Sequence, residues 1–115
     1  MITLKELSGL VEGKILSQNE NADGTVSYAF SSDLMSDVLT VSEDNLLLIT
    51  GLLNIQAIRT AEMADISYIL FVRNKQPTTD MIELANESNI MLITSPFSMY
   101  RASGVLFQAG IKPLF

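Results

Sequence analysis

Residues 45–72 read NLLLITGLLNIQAIRTAEMADISYILFV, and they decide the fold. Leu46-Leu47-Leu48-Ile49 is a continuous apolar run, without the alternation that marks a sheet with one wet face. From Asn54 to Ala64 the period changes, with Ile55, Ile58, Ala61 and then Glu62 or Met63 recurring at helical spacing. Tyr68 to Val72 (YILFV) returns to an unbroken apolar run of aromatic and branched residues, the composition of a buried strand. A strand, a helix and a strand in so short a span predict a βαβ unit, with parallel strands and a right-handed crossover.

The pattern continues on the C-terminal side. Arg73 to Pro77 is a loop. Asp80 to Ser88 is a helix, with Thr78, Thr79 or Asp80 as its cap and Glu83 completing an Asp-x-x-Glu box. Ile90 to Ile93 is a further strand. Ser95 or Ser98 caps a last helix that reaches about Ala109 and is ended by Gly110. Leu48-Ile49-Thr50-Gly51 and Leu92-Ile93-Thr94-Ser95 both close a strand ahead of a helix, which places Thr50 and Thr94 at equivalent strand ends.

On the N-terminal side, Thr3 caps a short helix with Glu6 in capping-box position and Leu4, Leu7 and Leu10 or Val11 on one face. Gly13 stops it, Lys14 to Ser17 is a short strand, and Gln18 to Gly24 is a polar loop. Thr25 to Ser31 alternates, with Val26, Tyr28 and Phe30 on one face of a strand. In the following SDLMSDVL segment, Leu34, Met35, Val38 and Leu39 form one helical face directed to the core. Ser32, Asp33, Ser36 and Asp37 occupy the other side, with Ser32 or Asp33 capping the first turn. The whole predicts one domain over residues 1–115, a three-layer α/β/α arrangement around a mostly parallel sheet. Met63, Met81, Met91 and Met99 are expected to fill gaps in its core, and Arg59 to lie at the surface or in an interface.

Composition narrows the function. The chain has neither Cys nor His, so disulfides, thiolate sites and His-based acid/base chemistry are absent. No Ser can draw on a His as its base. Neither GxxxxGK[ST] nor GxGxxG occurs. A net charge of −6 argues against phosphate-driven nucleic-acid binding. The amphipathic, acid-bearing N-terminus lacks the features of a signal peptide, and no apolar run approaches a membrane span. A cytoplasmic protein is expected, with no membrane and no nucleic-acid partner.

In open α/β sheets, ligands bind beyond the carboxyl ends of the strands. The polar residues expected there are Ser31, Ser32 and Asp33; Thr50, Gly51 and Asn54; Arg73 and Lys75; and Thr94, Ser95 and Ser98. Hydroxyls and helix N-termini at one edge suit a small anion, and Arg73 with Lys75 suits a phosphate or carboxylate. The same residue types are also what βα turns need for capping. The leading expectation is a non-catalytic regulatory or ligand-sensing module, without a cofactor, that binds a small anionic metabolite or nucleotide. Homodimer formation is expected, since Ala102-Ser103-Gly104 permit close approach of the last helix either to the sheet or to a second subunit. Two alternatives stay open. One is a small phosphotransfer or acyl-transfer enzyme, or a subunit completed by a partner, using Asp33 and Asp37 with magnesium. The other is a structural subunit of a larger complex with a protein partner.

Four stretches carry a family likeness: residues 3–16 (TLKELSGLVEGKIL), 29–39 (AFSSDLMSDVL), 46–90, and 92–111 (LITSPFSMYRASGVLFQAGI). Taken together they resemble the DRTGG domain family over nearly the whole chain. The naming motif is altered: Asp23 is retained, Gly24 replaces its Arg, and Ser27-Tyr28-Ala29 stand where Thr-Gly-Gly would lie. The resemblance implies an α/β/α domain similar to the N-terminal domain of HPr kinase/phosphorylase. It also implies an accessory role like that of relatives found beside CBS or phosphotransacetylase domains. The kinase domain that carries nucleotide chemistry in that enzyme has no counterpart here.

Overall fold

The computed structural model describes residues 1–115. In chain order the elements are β1 (Ile2–Thr3), α1 (Leu4–Leu10), β2 (Lys14–Ile15), β3 (Thr25–Val26), β4 (Tyr28–Ser31), α2 (Met35–Val38) and β5 (Leu46–Thr50). They continue with α3 (Ile55–Met63), β6 (Tyr68–Phe71), α4 (Thr79–Glu87), β7 (Met91–Thr94), α5 (Met99–Gln108) and β8 (Lys112–Pro113). The main sheet has the order β2-β7-β6-β5-β4-β8. Its members run parallel except β2, which pairs antiparallel with β7 at one edge. A second, two-stranded antiparallel sheet joins β1 to β3.

The unbroken apolar strands divide their side chains between two cores by the period of two. Leu47, Ile49, Leu70, Val72, Met91 and Ile93 point to one face, where α1 and α5 supply Leu4, Leu7, Ala102 and Leu106. Leu46, Leu48, Ile69, Phe71 and Leu92 point to the other, where α2, α3 and α4 supply Met35, Val38, Ala57, Ile58, Ala61, Met81 and Ala85. This is the expected three-layer α/β/α architecture with a mostly parallel sheet. Each large side chain fully buried between layers contributes roughly 1.5–3 kcal/mol.

Helix starts follow the local chemistry. Asn54, Thr78 and Ser98 each accept a hydrogen bond from the backbone N–H three residues on. Thr3 does the same for Glu6, and its hydroxyl also donates to the Glu6 carboxylate. Thr78 is therefore the cap of α4, with Asp80 in its first turn rather than heading a box with Glu83. Ser98, not Ser95, caps α5.

Four expectations are corrected. The segment 25–31 is not one strand. The chain changes sheets at Ser27, where the Ser27 and Tyr28 N–H groups both donate to the Asn45 carbonyl. Val26 consequently packs in the core under α1 and α5, while Tyr28 and Phe30 pack against the opposite one. The α2 face is narrower than its sequence suggests: Met35 and Val38 are buried, whereas Leu34 and Leu39 are exposed. A single helical turn presents only one i, i+3 pair to the core, and Leu34 lies before it in extended backbone. No side chain caps α2; the Ser32 hydroxyl instead accepts from the Leu34 N–H at 3.0 Å, a tight local turn. Met63 is exposed at the end of α3, while Met81 and Met91 are buried as core fillers.

The register fixes the edge where a ligand would sit. Ser31 lies opposite Ile49, Thr50 opposite Phe71, and Phe71 opposite Thr94. Thr50 and Thr94 thus share one level at the carboxyl ends of the strands, as the sequence repeat predicts.

Candidate functional site at the strand ends

Four of the expected residues meet directly. The chain leaves β4 through Ser32 and turns Asp33 back over the end of β5. There one Asp33 oxygen, Oδ1, accepts from the Thr50 hydroxyl at 2.9 Å and from the Gly51 N–H at 2.7 Å. Thr50 Oγ1 in turn accepts from the Leu52 N–H at 3.1 Å. Lys75 reaches across from the β6–α4 loop and its ammonium donates to the Gly51 carbonyl. A Cβ built on Gly51 would stand 3.6 Å from both Asp33 oxygens and 3.8 Å from Lys75 Nζ. Gly51 therefore leaves a small opening between a carboxylate and an ammonium. The second Asp33 oxygen takes no hydrogen bond from the chain. Its spacing from Asp37 is helical in sequence only. Asp37 lies exposed within α2, and no group of three acidic side chains converges anywhere in the domain.

Arg73 borders this cluster in unusual backbone. Arg73 and Asn74 both have left-handed conformations, with φ of 67° and 57°. Each such residue costs on the order of 1–2 kcal/mol relative to the right-handed region, less for Asn. The loop is held there by its neighbour after β7: the Arg73 N–H donates to the Phe97 carbonyl at 2.7 Å and the Asn74 N–H to the Ser95 carbonyl at 2.9 Å. Two adjacent strained residues over-determined by a neighbouring loop are a feature of functional sites. Arg73 itself is exposed beyond the strand.

Other expected residues have different placements. Thr94 and Ser95 are buried. The turn after α1 lies on them: a Cβ on Gly13 would collide with the Thr94 carbonyl. The Ser95 hydroxyl donates to the Val11 carbonyl at 2.7 Å and accepts from the Phe97 N–H at 3.1 Å. These two pin α1 and the β7–α5 loop to the sheet. Ser32 forms the turn into α2, while Asn54 and Ser98 spend their side chains on caps.

Ser31 is among the expected strand-end residues, but its partner Ser103 and the surface beside them are not. Ser31 and Ser103 share a hydroxyl–hydroxyl hydrogen bond of 2.8 Å between β4 and α5. Beside them runs a largely apolar groove of about 560 Å³ between α5 and the β4–β8 edge. The sequence signal for its aromatic wall is the pair Tyr100 and Phe107, seven apart and off the face that Ala102 and Leu106 bury. Arg101, near the start of α5, lies 3.8 Å over the Phe97 ring, a cation–π contact. At the opposite end of the strands, burial pushes the Tyr68 phenol above its ordinary pKa of 10.0. A Cβ on Gly24 would collide with that hydroxyl. This gives a packing reason for Gly at position 24.

With this geometry in hand, comparison with known proteins separates fold from sequence. No family model matches the sequence, and no curated protein matches it significantly. A solved structure does match: the CBS and DRTGG domains of the regulatory region of a Clostridium perfringens pyrophosphatase, in complex with its activator diadenosine tetraphosphate. The TM-score is 0.74 at 20% sequence identity, over 93% of this chain and 46% of that one. The fold is DRTGG-like. At this identity the likeness is one of architecture, and this DRTGG-like domain spans less than half of the pyrophosphatase regulatory chain. No helix in it is long and apolar enough to cross a membrane.

Proposed function

We infer that the domain is a non-catalytic regulatory module, dimeric, which binds a small anionic metabolite, most simply a nucleotide, at the carboxyl ends of β4, β5 and β6. The observation that carries this is the cluster of Asp33, Thr50, Gly51 and Lys75, drawn from three separate segments and flanked by the strained Arg73. Its chemistry is divided in a useful way. Arg73 and Lys75 supply positive charge for phosphate oxygens. The free Asp33 oxygen supplies an acceptor for ribose hydroxyls, the role a carboxylate plays in many dinucleotide sites. The lack of His and Cys leaves the cluster without the usual nucleophile–base pair, so recognition rather than turnover is what it suits. The pyrophosphatase neighbour supports the reading, being a regulatory region complexed with a nucleotide activator.

The test is a calorimetric and thermal-shift panel of adenine and guanine nucleotides, diadenosine polyphosphates and small carboxylate or phosphate metabolites. A ligand at about 100 times its dissociation constant stabilises the domain by about 2.7 kcal/mol. Lys75→Ala and Arg73→Ala should each weaken that ligand by about tenfold, as loss of one charge-assisted hydrogen bond does. Absence of any shift across the panel, or binding that ignores both substitutions, overturns the assignment.

A further inference from the structure

We propose that α5, with the groove beside it, is the surface through which two copies of this chain associate about a two-fold axis, the helices crossing antiparallel at Ser103-Gly104. This deepens the dimeric part of the function inferred above and rests on it.

The face is built for close contact and is left unpartnered within one chain. Tyr100 and Phe107 are 91% and 65% exposed. They stand at i and i+7 with Ser103 and Gly104 between them, while Ala102 and Leu106 anchor the other side of the helix in the core. A Cβ on Gly104 would meet nothing within 4 Å, so its smallness answers no need of the folded monomer. A small residue midway between two large ones lets a second helix approach there. Antiparallel crossing at that point sets Tyr100 against the partner's Phe107 and Phe107 against the partner's Tyr100. An isologous interface needs projection and recess on the same patch. The recess is the apolar groove of about 560 Å³, walled by Phe30, Ile49, Leu106, Leu114 and Phe115.

Charge decides what covers the face. The chain carries a net charge of −6, so two copies repel over most of their surfaces. α5 is the one helix without an acidic residue; α1, α2, α3 and α4 all carry at least one. No acidic side chain lines the groove either, and its two cations lie apart, Arg101 near the start of α5 and Lys112 on β8. This is where a strongly acidic protein can meet itself without juxtaposing carboxylates. Aromatic side chains bury about 150–250 Å² each, so Tyr100 and Phe107 supply about half of the roughly 800 Å² per partner of a standard interface, and the groove rim and the flanking turns of α5 must supply the rest.

The absence of Cys makes a positive test available. Gly104→Cys places a thiol beside the axis, and Ser36→Cys places one on the exposed side of α2. Under mild oxidation Gly104→Cys should form a covalent dimer at least about ten times faster than Ser36→Cys, as intramolecular proximity predicts. Sedimentation should show the parent chain as a dimer at micromolar concentration and Gly104→Glu as a 12.6 kDa monomer with unchanged far-UV circular dichroism. Phe107→Ser serves as a second disrupting variant. A parent that is dimeric while Gly104→Glu and Phe107→Ser remain so, with slow cross-linking at position 104, overturns this surface but leaves the dimer standing. A parent that stays monomeric at 100 times that concentration overturns both. Monomers whose groove takes up an apolar dye displaceable by a small molecule would assign the groove to a ligand and overturn the proposal.

Discussion

Replacing Asp33 with Ala tests whether the strand-end cluster is held by that carboxylate. Its Oδ1 is the acceptor for the Gly51 N–H at 2.7 Å and the Thr50 hydroxyl at 2.9 Å, and both donors belong to buried residues. A buried donor left without an acceptor costs about 1–3 kcal/mol. The amide of Gly51 cannot turn away, so it bears most of this, whereas the Thr50 hydroxyl can rotate. Asp33 itself is exposed, and water entering its place recovers part of the loss. The expected cost is therefore about 2 kcal/mol. In a domain of this length that lowers the melting temperature by roughly 6–10 °C, interpolating between the usual size classes. Asp33→Asn keeps an acceptor oxygen in the same position and should recover at least half of the difference. Asp37→Ala, one turn away and exposed, should fall within about 0.5 kcal/mol of the parent. Urea unfolding followed by circular dichroism measures all three. Asp33→Ala within 0.5 kcal/mol of the parent, or Asp33→Asn as damaging as Ala, would refute the account of Asp33 as the clasp on Gly51.

Other expectations follow from the same structure. Burial raises the Tyr68 phenol above 10.0 in the folded state. Its contribution to stability is thus complete below the unfolded value and is lost as pH rises through the folded one. Melts between pH 9 and pH 11.5 should accordingly show a steeper alkaline decline in the parent than in Tyr68→Phe; equal slopes would contradict this. Gly24→Ala should cost about 1–3 kcal/mol through overpacking against the Tyr68 hydroxyl. Tyr68→Phe should relieve part of that, a coupling visible in a double-mutant cycle by denaturant unfolding. Arg73→Gly should raise stability by about 0.5–1 kcal/mol by removing left-handed strain, while weakening the ligand sought above. Loss of stability there would mean that the strain is not real.

The residues determine the architecture for a local reason. LLLIT and YILFV are apolar on both faces, so each strand must be covered from both sides, and the helices between them supply the cover. Capping is equally local: Thr3, Asn54, Thr78 and Ser98 act within three residues of themselves. The level shared by Thr50 and Thr94 was legible too, since parallel register carries a repeated strand end to the same edge. The corrected elements are those whose partners lie far away in sequence. Nothing in residues 25–31 reveals that the Asn45 carbonyl turns the chain from one sheet into another. Nothing in SDLMSDVL reveals that only a single turn of helix is needed there.

The strand-end residues divide along the same line. Strand period and turn chemistry suffice to place Asp33, Thr50, Gly51, Lys75, Thr94 and Ser95 near one edge, because a parallel sheet collects its turns there. Their separate duties come from contacts between segments distant in the chain. The turn after α1 folds over Thr94 and Ser95 and buries them, while Asp33 and Lys75 reach into the end of β5 from different segments and fix Gly51 from both sides. Those choices depend on contacts across 18 to 84 residues of chain. They also separate Asp33 from Asp37: equivalent in sequence and both exposed, the first is a clasp on the sheet and the second is not, because only one of them faces a buried donor.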